Sequence, residues 1–261
     1  MKARTWSAAG APARQREVVA SKPENLHAQP ATAEARPSAN LSRFDAVSRI
    51  VDFIANLSLP LDHLTSEPDI AKLLGLSGRT PVIREALALL TRDGIVQPVP
   101  QRGYFVPRIT VEQAQEILLL RLSILKAIVT RLAAAGPSPR LQVAFELCAG
   151  LRGQETQSFL KQETAYWAEL ARQGGFIFAV QNLNSWGDQL RVFHADRELS
   201  DYLINETARH YQEVLENVSE QNTAGAVAAL QSNFQLRHDA LNQSVQALHI
   251  PAEMTPAGQA S

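Results

Sequence analysis

The sequence predicts a mainly α-helical protein in two parts, a small N-terminal unit that ends in a β-hairpin and an all-α bundle of six or seven antiparallel helices. Two observations predict this class. Apolar residues recur at helical spacing along residues 42–57 and again from residue 111 to 248. Between them, residues 95–106 hold two short strand patterns around a turn. A chain of 261 residues is long enough for two domains, each with its own core.

The first predicted helix covers residues 42–57 and is amphipathic. Arg43 and Arg49 lie on its outer side, and Leu59-Pro60 ends it. The inward stripe consists of Val47, Ile50, Val51 and Ile54. Ser66, three residues before Asp69, predicts the cap of a second helix.

The segment 69–106, DIAKLLGLSGRTPVIREALALLTRDGIVQPVPQRGYFV, is the most informative part of the chain. Its first helix ends at Gly75, residues 77–80 form a turn, and Thr80-Pro81 begins the next helix, with Thr as N-cap and Pro at the first position. That helix is expected to expose Arg79, Arg84 and Arg92. Its expected buried residues are Val82, Ala86, Leu87, Leu89 and Leu90.

A hairpin follows that helix. Ile95 to Val99 and Tyr104 to Val106 are predicted strands, joined by residues 100–103 with Arg102-Gly103 at the tip. Two helices, the second basic, and an arginine-tipped hairpin are typical of a winged helix-turn-helix. Such a unit places its second helix in the major groove of DNA and its wing over phosphates or the minor groove.

The same residues resemble the DNA-binding domain of the GntR family of bacterial transcription factors, over about a quarter of the chain. Gly78 and Ile83 look like extra residues relative to the family pattern, so Arg84 is rotated by about 100° from the usual direction. Pro68 stands where the family has a basic residue. The resemblance implies a set of residues that contact DNA: Arg43, Ser77, Arg79, Thr80, Arg84, Arg102 and Gly103.

Charge and composition limit the possible functions. The formal net charge is −1, but residues 41–109 hold eight Lys and Arg against seven Asp and Glu, whereas residues 110–261 hold eleven against sixteen. A DNA-binding unit with so small an excess binds weakly as one copy, and a dimer doubles its contacts. The single cysteine, Cys148, suits a reducing cytoplasm. No apolar run is long enough to cross a bilayer.

The predicted organisation has four segments. Residues 1–40 and 251–261 are expected to be disordered tails, the first of them either solvated or a basic arm that touches DNA. Residues 41–109 form the winged helix-turn-helix, and residues 110–250 form the helical domain. Thr110 and Gln113 make a capping box for a helix over residues 111–135. Further helical patterns cover residues 140–151, 155–173, 176–192, 197–220 and 224–248.

An all-helical domain after such a unit resembles the FadR-type effector domain, which dimerises and binds a small molecule. In many relatives this bundle holds a metal on an Asp and three His. The best matches here are Glu163, Trp167, Tyr211 and Asn233, so a metal is not expected, unless a shifted register brings in His210. Metal-free relatives that respond to fatty acids imply an organic acid or acyl-CoA instead.

The candidate ligand-binding residues are Arg121, Glu163, Tyr166, Trp167, Tyr211 and Asn233. Arg121 can bind a carboxylate through two parallel hydrogen bonds or serve as an ion-pair residue. The aromatic residues can equally be ordinary core residues. Further aromatic residues expected near the pocket are Phe176, Phe178, Trp186 and Phe193. Arg131 and Arg191 are expected to be solvated.

The predicted function is a ligand-responsive repressor of the GntR family that binds a palindromic operator in double-stranded DNA as a homodimer. No cofactor, membrane or catalytic role is expected, because the sequence shows no phosphate loop and no acid–base pair. The alternative is a helical scaffolding protein whose DNA-binding unit has decayed.

Overall fold

A winged arrangement of three helices and a three-stranded sheet forms the N-terminal part of the protein in this computed structural model, which describes residues 41–76 and 81–248. Its elements are α1 (Arg43–Ala55), β1 (His63–Thr65), α2 (Glu67–Leu73), α3 (Pro81–Arg92), β2 (Gln97–Val99) and β3 (Gly103–Val106). The predicted turn at residues 77–80 and both predicted tails lie outside the described residues. We call residues 41–109 the winged part.

Side-chain caps place the helix starts where the sequence predicted them. The Ser42 hydroxyl accepts a hydrogen bond from the Asp45 N–H, and the Asp45 carboxylate accepts from the Ser42 N–H. The Ser66 hydroxyl accepts from the Asp69 N–H in the same way. These bonds satisfy backbone donors that have no partner inside the helix.

Strand β1 was not predicted. It pairs antiparallel with β3, His63 opposite Val106 and Thr65 opposite Tyr104, so the strand order is β1-β3-β2. Three residues are too few to show the alternation that identifies a strand, and pairing with β3 produces this one. The predicted hairpin of β2 and β3 is present, with Val99 opposite Gly103.

The core of the winged part corrects the expected buried face of α3. Ile83, which was not among the residues expected to be buried, is fully buried in the same cluster as Ile50, Leu87 and Leu90. Val82 and Leu89, which were expected to be buried, are only half-buried.

Six helices form the C-terminal part as far as residue 248, where the described residues end. They are α4 (Val111–Ala135), α5 (Leu141–Ala149), α6 (Thr156–Gln173), α7 (Ile177–Phe193), α8 (Asp201–Ser219) and α9 (Thr223–Leu248). The Thr110–Gln113 capping box begins α4, as predicted, and Gly136 ends it. The observed bounds lie within a few residues of the predicted ones. The architecture is therefore the predicted mainly α one, a winged helix-turn-helix followed by a helical bundle.

The two parts share apolar packing where they meet. Ile117 and Leu118 of α4 and Leu190 and Phe193 of α7 belong to the same buried cluster as Ile50 of α1. The winged part and the bundle are therefore joined by one continuous, close-packed core at this junction.

Candidate functional site

The outer surface of the winged part carries three of the predicted DNA-contacting arginines. The side chain of Arg84 on α3 is 59% exposed and its Nε lies 3.2 Å from the Glu67 carboxylate. Arg43 lies 3.8 Å from Glu85. Arg102 is exposed at the hairpin tip and has no ion-pair partner among the described residues. Exposed pairs of this kind contribute little stability, so both paired arginines can exchange their partner for a phosphate.

The hairpin tip is a tight turn. Its closing hydrogen bond runs from the Arg102 N–H to the Val99 carbonyl at 3.0 Å, and Gln101 adopts a left-handed φ of 63°. The turn therefore holds the Arg102 backbone at a defined position.

Gly103 has a structural role that the sequence analysis did not anticipate. Its φ is +110°, and a Cβ atom added there would lie 2.3 Å from the Thr65 carbonyl oxygen of β1. The glycine is thus required by the close approach of β3 to β1, whether or not the backbone also approaches DNA.

Tyr104 of β3 lies near charged side chains of α2 and α3. Burial raises the pKa of its phenol, the Glu67 carboxylate raises that pKa further, and the Arg84 guanidinium lowers it. Strand β3 therefore lies beside the charged edge of α2 and α3. The other three predicted contacts, Ser77, Arg79 and Thr80, lie outside the described residues.

A second group of predicted residues meets inside the bundle around Glu163 of α6. Glu163 is 1% exposed. Its carboxylate lies 3.4 Å from Arg121 Nη1 and accepts a 2.5 Å hydrogen bond from the Tyr211 hydroxyl. It also pairs with Arg237 of α9. We call Arg121, Glu163, Tyr211 and Arg237 the Glu163 cluster.

The charges in this cluster set the protonation state of Glu163. Burial raises the pKa of its carboxyl, but Arg121, Arg237 and the Tyr211 hydroxyl together outweigh burial, so the pKa is lowered. Glu163 is therefore ionised and supplies the carboxylate that Arg121 was expected to receive from a ligand. Arg121 is an ion-pair residue here, one of the two roles considered for it.

Arg237 was missed by the sequence analysis. Its sequence signal is its position four residues after Asn233 on α9, which places both side chains on one face of that helix. Nothing local indicates the pairing with Glu163, which lies 74 residues away along the chain.

Aromatic rings enclose the cluster. The Tyr166 and Tyr211 rings are stacked with centroids 5.3 Å apart, and the Trp167 ring meets Tyr211 edge-on at 4.9 Å. The Tyr166 hydroxyl donates to the Tyr211 carbonyl. The Trp167 Nε1 and Asn233 Nδ2 atoms are buried donors without an acceptor among the described residues. The predicted residues are thus brought together, with a cavity of about 20 Å³ beside Arg121, Tyr211, Asn233 and Arg237.

Two of the peripheral expectations are wrong. Arg191, expected to be solvated, is 4% exposed because its Nη2 reaches across to Asp52 of α1 at 2.6 Å. Phe178, expected near the pocket, is 86% exposed. Both positions belong to α7, where one turn faces the winged part and another faces solvent.

Charged side chains also join the winged part to the bundle. Asp52 accepts from Lys161 of α6 at 3.3 Å in addition to Arg191. Arg108, just after β3, pairs with Asp62 and with Asp196 of the loop that joins α7 to α8.

Residues 41–76 and 81–248 contain no cluster of three or more His, Cys, Asp or Glu side chains able to hold a metal. No helix in the same ranges has the length and apolar character needed to span a membrane.

Comparison with known proteins gives a fold. No family model matches the chain. A region of 87 residues is 33% identical to an HTH-type transcriptional regulator from an unstable DNA locus of Streptomyces ambofaciens; the match spans 33% of this chain and 36% of that protein.

Solved structures resemble a larger share of the chain. McbR/YncC of E. coli matches 80% of this chain and 100% of its own, with a TM-score of 0.62 and 16% identity. A structure described as a GntR transcriptional regulator from Rhodococcus matches 78% and 98%, with a TM-score of 0.58 and 20% identity. At these identities the likeness shows the fold, a winged helix-turn-helix joined to a helical bundle.

Proposed function

We propose that this protein is a transcriptional regulator of the GntR family that binds double-stranded DNA through its winged part. The observation that supports this most is the exposure of Arg84 on α3 and of Arg102 at the hairpin tip of a winged helix-turn-helix. These are the two elements that enter the major groove and lie along the backbone in this fold. The resemblance to a transcriptional regulator over 87 residues adds support.

The regulator is proposed to act as a homodimer on a palindromic operator. Residues 41–109 carry an excess of only one positive charge, and Glu67 and Glu85 partly neutralise Arg84 and Arg43. One copy would therefore bind weakly, since phosphate neutralisation supplies most of the non-specific affinity. Two winged parts on half-sites about one helical turn apart double the contacts.

The bundle is proposed to be a FadR-type effector domain that binds a small organic anion. Its interior buries two guanidinium groups, Arg121 and Arg237, against the single carboxylate of Glu163. Buried charges are normally paired, so this excess of positive charge favours an anionic guest. Guest binding would act on DNA affinity through α7 and the salt bridges at Asp52 and Arg108. Release of DNA on binding would make the protein a repressor.

The DNA-binding role of α3 can be tested at Arg84. Arg84→Ala is expected to weaken binding by about 1–3 kcal/mol, because it removes one base or phosphate contact. The measurement is fluorescence anisotropy with a duplex that the wild type selects from a random library. The matched control is Arg140→Ala, which removes an exposed arginine of the bundle. Equal affinities of the Arg84 and Arg140 variants would contradict this role.

A further inference from the structure

A cavity of about 260 Å³ lies between α4, α7 and α9 and the loop that joins α7 to α8. Of the residues expected around a ligand pocket, Phe193 lines it, whereas Arg121, Glu163, Tyr166, Trp167, Tyr211 and Asn233 do not. Its wall is mostly apolar, and the large apolar side chains are Leu118, Leu190, Phe193, Leu199, Leu203 and Leu241. A concave, mostly apolar site with a few polar groups is the usual form of a small-molecule site.

Arg237 is a buried charged residue in the wall of this cavity, whose other polar residues are His194, Arg197, Glu198, Ser200 and Gln243. Its side chain lines both this cavity and the small cavity beside the Glu163 cluster, and it is 5% exposed. It shares the Glu163 carboxylate with Arg121. One carboxylate cannot neutralise two guanidinium groups, so the buried end of the cavity keeps a positive charge. The Asn233 Nδ2 atom, a buried donor that has no acceptor in the described part of the chain, lies beside Arg237 in the small cavity.

The other charged groups around the cavity do not cancel this charge. Burial and the nearby Arg237 guanidinium lower the pKa of His194 to about 4, so this histidine is neutral. Arg197 is paired with Asp196 at 3.0 Å and lies over the Phe193 ring. Glu198 is exposed at the rim. Among the buried groups described here, the two guanidinium groups of Arg121 and Arg237 therefore exceed the single carboxylate of Glu163 by one positive charge.

We propose that this cavity binds a small monocarboxylic acid with an apolar body, its carboxylate at Arg237 and its body among the leucines and Phe193. This proposal names the class of ligand for the proposed effector domain. It rests on the proposed function only in the statement that the bound acid regulates DNA binding. A cavity of about 260 Å³ is at the small end of ligand sites. It fits a free aromatic or branched aliphatic acid, whereas a coenzyme A thioester is too large.

The cavity wall also reaches the winged part. The α7–α8 loop supplies His194, Arg197 and Leu199 to the cavity, and Asp196 of the same loop pairs with Arg108. Arg108 in turn pairs with Asp62 beside β1. A bound acid that displaces this loop would therefore alter a contact that holds the winged part.

The test uses the full-length protein and phenylacetate as the probe, with phenylacetamide as a neutral molecule of the same shape. Isothermal titration calorimetry would measure both. Ala240→Phe fills the cavity from α9 without changing the Glu163 cluster, and Ala228→Phe places the same side chain on an exposed position of that helix. We expect phenylacetate to bind wild type and the Ala228 variant at least about tenfold more tightly than phenylacetamide, and the Ala240 variant to lose phenylacetate binding by about tenfold or more.

Absence of phenylacetate binding to the wild type, equal binding of the amide, or unchanged binding by the Ala240 variant would overturn the proposal. Duplex binding by the same preparations without phenylacetate is measured in parallel. A wild type that binds DNA but not phenylacetate disproves the cavity site alone, and one that binds phenylacetate but not DNA disproves the proposed function alone.

Discussion

Glu163→Gln is expected to lower the free energy of unfolding by about 3–5 kcal/mol. The change keeps the size of the side chain but removes the negative charge that Arg121 and Arg237 share. Two guanidinium groups would then be buried without a counter-ion, and a broken buried ion pair is far more costly than one replaced as a whole. Urea unfolding at neutral pH, followed by circular dichroism, measures the loss.

The control replaces the whole charged group. A triple variant with Arg121→Met, Glu163→Leu and Arg237→Met removes all three charges and keeps similar volumes, so we expect it to recover most of the stability lost by Glu163→Gln. If Glu163→Gln has the same urea midpoint as the wild type, the two arginines are not buried together. If the triple variant is as unstable as Glu163→Gln, then packing, and not charge, determines the loss in the free energy of unfolding.

Gly103→Ala is expected to lower the free energy of unfolding by about 2–5 kcal/mol and to abolish DNA binding. An alanine at φ +110° is strained, which costs about 1–3 kcal/mol. Its Cβ would also lie 2.3 Å from the Thr65 carbonyl oxygen, an atom of the backbone that cannot rotate away. Strand β3 must therefore separate from β1, and the wing tip moves with it.

Gly94→Ala is the matched control. Gly94 also has a positive φ, of +73°, but no atom lies within 4 Å of an added Cβ. Gly94→Ala should lower the free energy of unfolding by about 1 kcal/mol, the penalty of the left-handed conformation alone. It should keep DNA binding. Thermal unfolding and anisotropy with duplex DNA compare the pair. Equal losses for the two variants would contradict the contact between β3 and β1.

Local sequence signals predicted the elements well and the long-range contacts poorly. The capping box at Thr110 begins α4 where it was expected, because a cap involves residues three apart. Ser42 and Ser66 cap α1 and α2 for the same reason. Strand β1 escaped prediction because it is three residues long and depends on pairing with β3, about forty residues later.

The candidate sites show the same contrast between local patterns, which could be predicted, and long-range contacts, which could not. Glu163, Tyr211 and Asn233 were found through their positions in a family pattern, and the structure brings them into one interior. Arg237 and the burial of Arg191 were missed, since each depends on a partner on another helix, Glu163 and Asp52 respectively. An arginine that pairs across the fold has the same local pattern as a solvated one.

The most direct test of the account is the salt dependence of binding between the full-length protein and a random-sequence duplex, starting at low salt. Charge neutralisation of phosphates by the winged part predicts that the logarithm of the association constant falls linearly with the logarithm of salt concentration. Removing both Arg84 and Arg102 should reduce the slope by about two, one for each lost phosphate contact. A wild-type protein that shows no binding, or binding without a salt slope, would contradict the DNA-binding account and favour a helical scaffolding protein.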